Sequence, residues 1–406
     1  MRKILYLAVP LRSGTGGDRR SFEVLRRIAQ YDIEPIIIVD ASVYEKMNRD
    51  GSNGFLKHKI YSIKRPNVIY DRYFRSASRV ALDYFSMLKT ARSVADIARK
   101  ENVELIVSHH EKIDYLLESY FASRTCHIPW TCIFQSFIFP PYASTPWQKI
   151  GSARKIYLKS LYEPLYYLVS QAVTTTTLMA VSPSIDLDIK SYLGGWRSKI
   201  MVLNPGVGVD TTNILRAKPN GEADAILFSR LVPEKGLYDV PKITAEIVKK
   251  KPNFRLVIVG KFGAPTFQQR FENSLVELRV KENVDYKGFR KGEELYSLIK
   301  SAKVLLYPSL QDAFPLVVLE ALAAGIPIIA YDIPAISLNF PSDLVKRVPA
   351  GDYKLMAEET LKFINDHEET AKFSEKARSV VSEYDWDKVA REESRGYEVV
   401  LKNSLK

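Results

Sequence analysis

Cysteine is nearly missing from this chain. Cys126 and Cys132 are the only two in 406 residues, which excludes a disulfide scaffold. They read as small apolar residues beside a buried strand and fit a reducing compartment. Histidine is scarce too, at five, and no His or Cys pair has zinc-ligand spacing, so no metal site is expected. No uninterrupted apolar run could span a bilayer. The most apolar stretch, 313–331, carries Glu320 in its middle and is broken by Gly325 and Pro327, so it reads as a buried helix followed by a buried strand. The short apolar run after Met1-Arg2-Lys3 stops at Pro10 and reads as a first β-strand, not a signal peptide. There is no zinc-finger or RNA-binding signature, so nucleic acid is not an expected partner.

What is present is ordinary globular material, 46% hydrophobic and 26% charged. The length suggests two domains on a prior of about 150 residues each. Lys and Arg number 59 against 47 Asp and Glu, a net charge of +12. That excess is either a solvated basic surface or a match for an anionic partner, such as a phosphorylated small molecule or an acidic membrane.

Short continuous apolar runs alternate with amphipathic segments. Strands are expected at Lys3–Ala8, Pro35–Val39, Glu104–Ser108, Trp130–Phe134 and Lys199–Leu203. A second series is expected at Ala225–Ser229, Arg255–Val259, Val284–Lys287, Lys303–Tyr307 and Pro327–Tyr331. Helical patterns lie between them, among them Asp18–Gln30 and Thr90–Lys100. Val/Ile/Leu strands alternating with helices imply parallel sheets covered on both faces. Two series predict two Rossmann-like, doubly wound domains. The turn-rich Asn204-Pro205-Gly206 marks the boundary, giving 1–203 and 204–379, and 380–406 holds an amphipathic terminal helix.

Ligands of such sheets gather at the carboxyl ends of the strands, and four turns there stand out. Ser13-Gly14-Thr15-Gly16-Gly17 follows the first strand; it lacks the Gly-Lys-Ser/Thr of a Walker A loop and the last glycine of a dinucleotide fingerprint, and could be a plain tight turn. Arg230 and Lys235 flank Pro233 before a helix, as in a diphosphate clamp or a solvated turn. Asp312 precedes Pro315, which suits a first helical position. Glu320 follows within an apolar helix, where it needs a ribose diol or an internal ion pair. His109, His110 and Glu111 end another strand; one histidine at most is expected to face a ligand, as general base or hydroxyl contact, and both could be structural.

The combination is more specific than its parts. Arg-x4-Lys-Gly at 230–236, followed by an acid-x7-Glu at 312–320, resembles glycosyltransferase family 4, the retaining enzymes of the GT-B fold (glycosyl transferases group 1). Gly16-Gly17-x-x-Arg20, Asn204-Pro205-Gly206, Val257-Ile258-Val259-Gly260, Lys287-Gly288-Phe289, Tyr307-Pro308-Ser309 and Trp386-Asp387 match in the same order. The resemblance implies two domains facing a cleft, an acceptor-binding first domain completed by the last helix, and a donor-binding second domain. It implies that Arg230 and Lys235 neutralise the departing nucleotide diphosphate without a metal or other cofactor. It places Glu320 on the ribose, and Asp312 with the backbone of Phe314, Pro315 and Leu316 on the transferred sugar. Gly16 and Gly17 would approach the phosphates or acceptor, His110 or His109 the sugar, and Phe289 the base. Asp312 stands where the family usually has Glu and is one methylene shorter.

A UDP-, GDP- or ADP-sugar is therefore the expected donor and a hydroxyl the expected acceptor. Aromatic and basic residues interleave from Phe134 to Val169, including Trp147, Lys149, Arg154 and Tyr157. That composition suits either a core helix with a wet face or peripheral docking at an anionic cytoplasmic leaflet, with a lipid-linked acceptor. The alternatives in function are a nucleotide-sugar epimerase of the same fold and a non-catalytic nucleotide-sugar binder.

Overall fold

Runs of aliphatic residues become parallel strands in both halves of the chain. The computed structural model describes residues 1–12, 16–65, 77–136, 167–193 and 199–404. Two compact units result, Met1–Val207 with Trp386–Lys406, and Gly208–Asp385.

The first unit holds β1 (Arg2–Leu7), β2 (Ile33–Asp40), β3 (Lys59–Ile63), β4 (Leu105–Ser108), β5 (Trp130–Phe134), β6 (Thr177–Ala180) and β7 (Lys199–Val202). They form a seven-stranded sheet in the order β3-β2-β1-β4-β5-β6-β7, with every pairing parallel. Ile36, Ile37, Ile38 and Val39 are all fully buried, because helices cover both faces of a central parallel strand. The terminal helix, Trp386–Ser404, lays Trp386, Val389, Tyr397 and Val400 into this unit. A Cβ at Gly396 would come within 2.5 Å of the Met179 sulfur, so glycine sets how closely that helix approaches β6.

The second unit holds β8 (Ala223–Phe228), β9 (Leu256–Val259), β10 (Val284–Tyr286), β11 (Ala302–Tyr307), β12 (Ile328–Tyr331) and β13 (Lys346–Val348). Its six parallel strands run β10-β9-β8-β11-β12-β13. Alternate residues feed two cores. Ala225, Leu227, Ile258 and Leu306 pack with Ile243 and Ile247 on one face. Ile226, Phe228, Val259 and Leu305 pack with Leu319 and Leu322 on the other. Each fully buried Leu, Ile or Phe stabilises the unit by roughly 1.5–3 kcal/mol.

The fold is thus two Rossmann-like doubly wound sheets, as the alternation of strands and helices predicts. In each sheet the strand order reverses once, between β1 and β4 and between β8 and β11. Loops leaving those strands at their carboxyl ends diverge to opposite faces and leave room for a ligand. One expected helix is shorter than its pattern: Gly16–Leu25 stops early, and Ile28–Tyr31 forms a 3-10 turn that feeds β2 through Asp32, at φ 60°.

Candidate active site

The reversal point of the second sheet gathers the loops after β8 and β11. Arg230 follows β8 by two residues and is exposed, with no acid partner among the described residues. Pro233–Lys235 then makes a single 3-10 turn ending at Gly236, whose φ is +72°. A Cβ there would sit 1.9 Å from the Pro308 carbonyl oxygen, so Gly236 lets this turn press onto the loop after β11. The Leu310 N–H donates to the Glu234 carbonyl at 3.0 Å and fixes the contact.

That approach brings together two residues 77 positions apart. Lys235 Nζ lies 2.6 Å from Asp312 Oδ2 and donates also to the Gln311 carbonyl at 3.0 Å. The Tyr307 hydroxyl donates to the same Asp312 oxygen. The Ala313 N–H donates to Oδ1 at 2.8 Å. The side chains of Lys235 and Asp312 are 11% and 19% exposed, so the pair is partly shielded yet reachable. Burial, with Asp312 beside it, pushes the Tyr307 hydroxyl far above its ordinary range and keeps it a donor. Lys235 is thus balanced by Asp312, and Arg230 carries the uncompensated charge of the pair of cations.

The following helix runs Leu316–Ala324 and ends at Gly325, φ +76°. Pro315 occupies the capping position just before it, at φ −82° and ψ 93°, not the first helical position expected from the sequence. Phe314 packs on Phe340 and Tyr384, with ring centroids 5.5 and 6.3 Å apart. Leu316 is half-buried. Glu320, on the fifth helical residue, is 7% exposed among Val318, Leu319 and Ala321 and is not left without a partner. At the sheet's far side Phe289 is 62% exposed, directly after Gly288 at φ +68°. An aromatic ring with that much free face is suited to stacking.

In the first unit, Gly16 and Gly17 open the helix after β1, and Ser108 to Glu111 follow β4. The two histidines part company. His109 is fully buried, its Nδ1 2.8 Å from Ser21 Oγ and its Nε2 2.7 Å from Glu393 Oε1. His110 keeps 12% of its side chain exposed and lies 3.3 Å from Glu111. Burial works to raise the Glu111 carboxyl, but the His110 charge and hydrogen bonds from His110 and Ser136 hold it down at about 2. Gln135 donates to the His109 carbonyl at 2.6 Å, and its Oε1 is buried without a hydrogen-bond partner. A Cβ at Gly17 would meet that oxygen at 3.0 Å, so glycine avoids crowding it.

Two polar residues of this unit take roles that the sequence did not assign. Arg20 is 1% exposed; its Nε donates to the Gly206 carbonyl at 2.5 Å and its Nη2 to Glu393 at 2.6 Å. Glu393 was legible in principle, as a carboxylate four residues from Val389 and from Tyr397 on an apolar helical stripe. Residues 137–166, the core of the aromatic and basic segment, lie outside the described residues, as do Ser13, Gly14 and Thr15. Among the described residues no helix is long and apolar enough to cross a membrane, and no group of three or more His, Cys, Asp or Glu could hold a metal ion.

Comparison with known proteins places this geometry in context. Residues 214–380 match the family model of glycosyl transferases group 1. A D-inositol 3-phosphate glycosyltransferase of Corynebacterium efficiens is 28% identical over 175 residues, covering 39% of this chain and 41% of that protein. The chain therefore spans less than half the length of this curated relative. Over the whole chain the fold is similar to a glycosyltransferase from Rickettsia africae, with a TM-score of 0.72, 18% identity and 99% of each chain covered. It is equally similar to Anabaena HepE in complex with UDP-glucose, with a TM-score of 0.72, 15% identity, and 98% and 100% covered.

Proposed function

We propose that this chain, whose residues 214–380 belong to the glycosyl transferases group 1, moves a sugar from a nucleotide-diphosphate sugar to a hydroxyl acceptor with retention of configuration. The observation that carries the reading is the contact between Lys235 and Asp312, with Arg230 exposed on the same sheet edge.

Breaking a glycosyl–phosphate bond builds negative charge on the diphosphate and positive charge on the anomeric carbon. Arg230 offers a forked guanidinium to the departing oxygens. Lys235 is held in place by Asp312 before any ligand arrives, so little reorganisation is needed when charge develops. Asp312 retains acceptor capacity, since a carboxylate has about four lone-pair sites and three donors among the described residues reach this one. A sugar hydroxyl can take the remainder. Glu320 receives the ribose hydroxyls, and Phe289 stacks on the base.

These cations make a metal unnecessary for neutralising the diphosphate. The HepE complex supports a UDP-sugar as the first donor to try, with GDP- and ADP-sugars beside it. A lipid-linked acceptor at the anionic cytoplasmic membrane face belongs to the same proposal, supported by the net charge of +12. The test is product analysis by NMR after incubation with each nucleotide sugar and a panel of glycosides. Transfer with the donor's anomeric configuration supports the reading. Epimerised donor without transfer, or an inverted product, would replace it.

A further inference from the structure

A second polar cluster in the first unit has unmet hydrogen-bonding capacity. Arg65 lies two residues beyond β3, and its side chain is 2% exposed. Its Nε donates to Glu118 Oε2 at 2.9 Å, and its guanidinium carbon lies 3.9 Å from the centre of the Tyr115 ring. Its backbone N–H donates to Asp40, the last residue of β2, at 3.0 Å. Asp114 and Glu118 sit one turn apart on the helix Ile113–Cys126, which follows β4. All these groups therefore stand at the carboxyl edge of the first sheet, beside its reversal point.

The orphaned atoms identify the chemistry. Arg65 Nη1 and Nη2, both oxygens of Asp114, and Glu118 Oε1 are buried with no hydrogen-bond partner. Asp114 is 6% exposed and Glu118 fully buried, so water screens neither well. An unmet buried polar atom costs about 1–3 kcal/mol, and five in one place call for a ligand that supplies both donors and acceptors. Phosphate fits poorly, because the carboxyl groups of Asp114 and Glu118 crowd the one guanidinium with oxygens. An ammonium fits poorly, because it would meet Arg65. Sugar hydroxyls both donate and accept, so they can meet orphaned donors and acceptors together.

We propose that Arg65, Asp114 and Glu118 hold a neutral polyhydroxylated acceptor, with hydroxyls donating to Asp114 and accepting from Arg65. This rests on the glycosyl-transfer reading and gives it an acceptor class: a sugar unit recognised through its hydroxyls, not through a phosphate. Burial raises the Asp114 carboxyl, with the Arg65 and Lys112 charges pulling the other way.

The test uses saturation-transfer NMR on the full chain with UDP present. The probes are methyl glycosides of glucose, galactose, mannose and N-acetylglucosamine at millimolar concentration, with the corresponding sugar 6-phosphates alongside. At least one neutral glycoside is expected to bind, about tenfold or more weakly in Asp114→Asn. The thermal midpoint of that variant should be unchanged or higher, since it removes a buried carboxylate without a partner; a purely structural Asp114 would instead lower it. Arg65→Lys should weaken the same glycoside. No glycoside binding, equal binding to Asp114→Asn, or preference for the 6-phosphates would overturn the proposal. A chain that UDP-sugars stabilise while glycosides ignore Asp114 loses only this inference. A chain that no nucleotide sugar stabilises loses the glycosyl-transfer reading as well.

Discussion

Arg20 and Glu393 pair at 2.6 Å across 373 residues of sequence, both sealed from solvent. The pair ties the helix after β1 to the terminal helix. Through Arg20 Nε it also reaches Gly206, in the segment that leaves the first unit. One buried ion pair therefore fastens both ends of this unit's chain to each other.

Removing one member leaves the other charged and dry. Glu393→Ala is expected to destabilise the first unit by about 3–5 kcal/mol. Arg20→Met combined with Glu393→Leu should recover much of that loss, because neither charge is then stranded. Urea unfolding followed by amide exchange in the first unit separates the two outcomes.

Asp312 is expected to act through Lys235. Asp312→Asn should lower kcat by about 100-fold with a much smaller change in donor KM, as for a lost transition-state contact. Tyr307→Phe removes one of the donors to Asp312 and should cost far less. Equal loss in the two variants would mean that the tyrosine, not the ion pair, organises this edge.

Glu320 is the residue proposed to receive the ribose hydroxyls. Glu320→Ala should weaken nucleotide-sugar binding by about 10- to 100-fold, the range for a hydrogen bond to a charged group. Unchanged donor affinity and turnover would remove Glu320 from the site.

The pH dependence of stability has two limbs of opposite cause. Glu111 and Glu393 are held at about 2 against an ordinary 4.5, so their contribution is present above 4.5 and fades as pH falls toward 2. Glu118 is pushed up to about 8, chiefly by burial, so the folded state keeps a proton that the unfolded chain releases. That contribution is present below 4.5 and is lost as pH rises toward 8. Thermal midpoints of Glu118→Gln should show the upper limb flattened. An unaltered slope would mean that Glu118 ionises normally.

Strand identity was legible wherever burial on both faces demanded a continuous apolar run, as in Ile36–Val39 and Leu256–Val259. It was not legible for β3, whose Lys-Ile-Tyr-Ser-Ile lies half-covered at the sheet edge, nor for β6 and β13, whose Thr-Leu-Met-Ala and Lys-Arg-Val are not continuous Val/Ile/Leu runs. Which histidine keeps solvent contact could not be read from adjacency; it follows from His109 being enclosed by Ser21 and Glu393, from two distant helices. The Arg65 cluster left no pattern at all. Its members are 53 residues apart, and polar residues carry no periodicity to mark which of them will be buried together. Lys235 and Asp312 are more widely separated still, yet each lies at the end of a recognisable buried strand, so strand order brings them side by side.

The most direct test is calorimetric titration of UDP-, GDP- and ADP-sugars into the full chain with EDTA present, repeated with Arg230→Ala. One nucleotide sugar is expected to bind in EDTA, with the variant weaker by about 10-fold or more. Binding that requires a divalent metal, binding unaffected by loss of Arg230, or no binding by any of the three would contradict a metal-free diphosphate clamp at the edge of the second sheet.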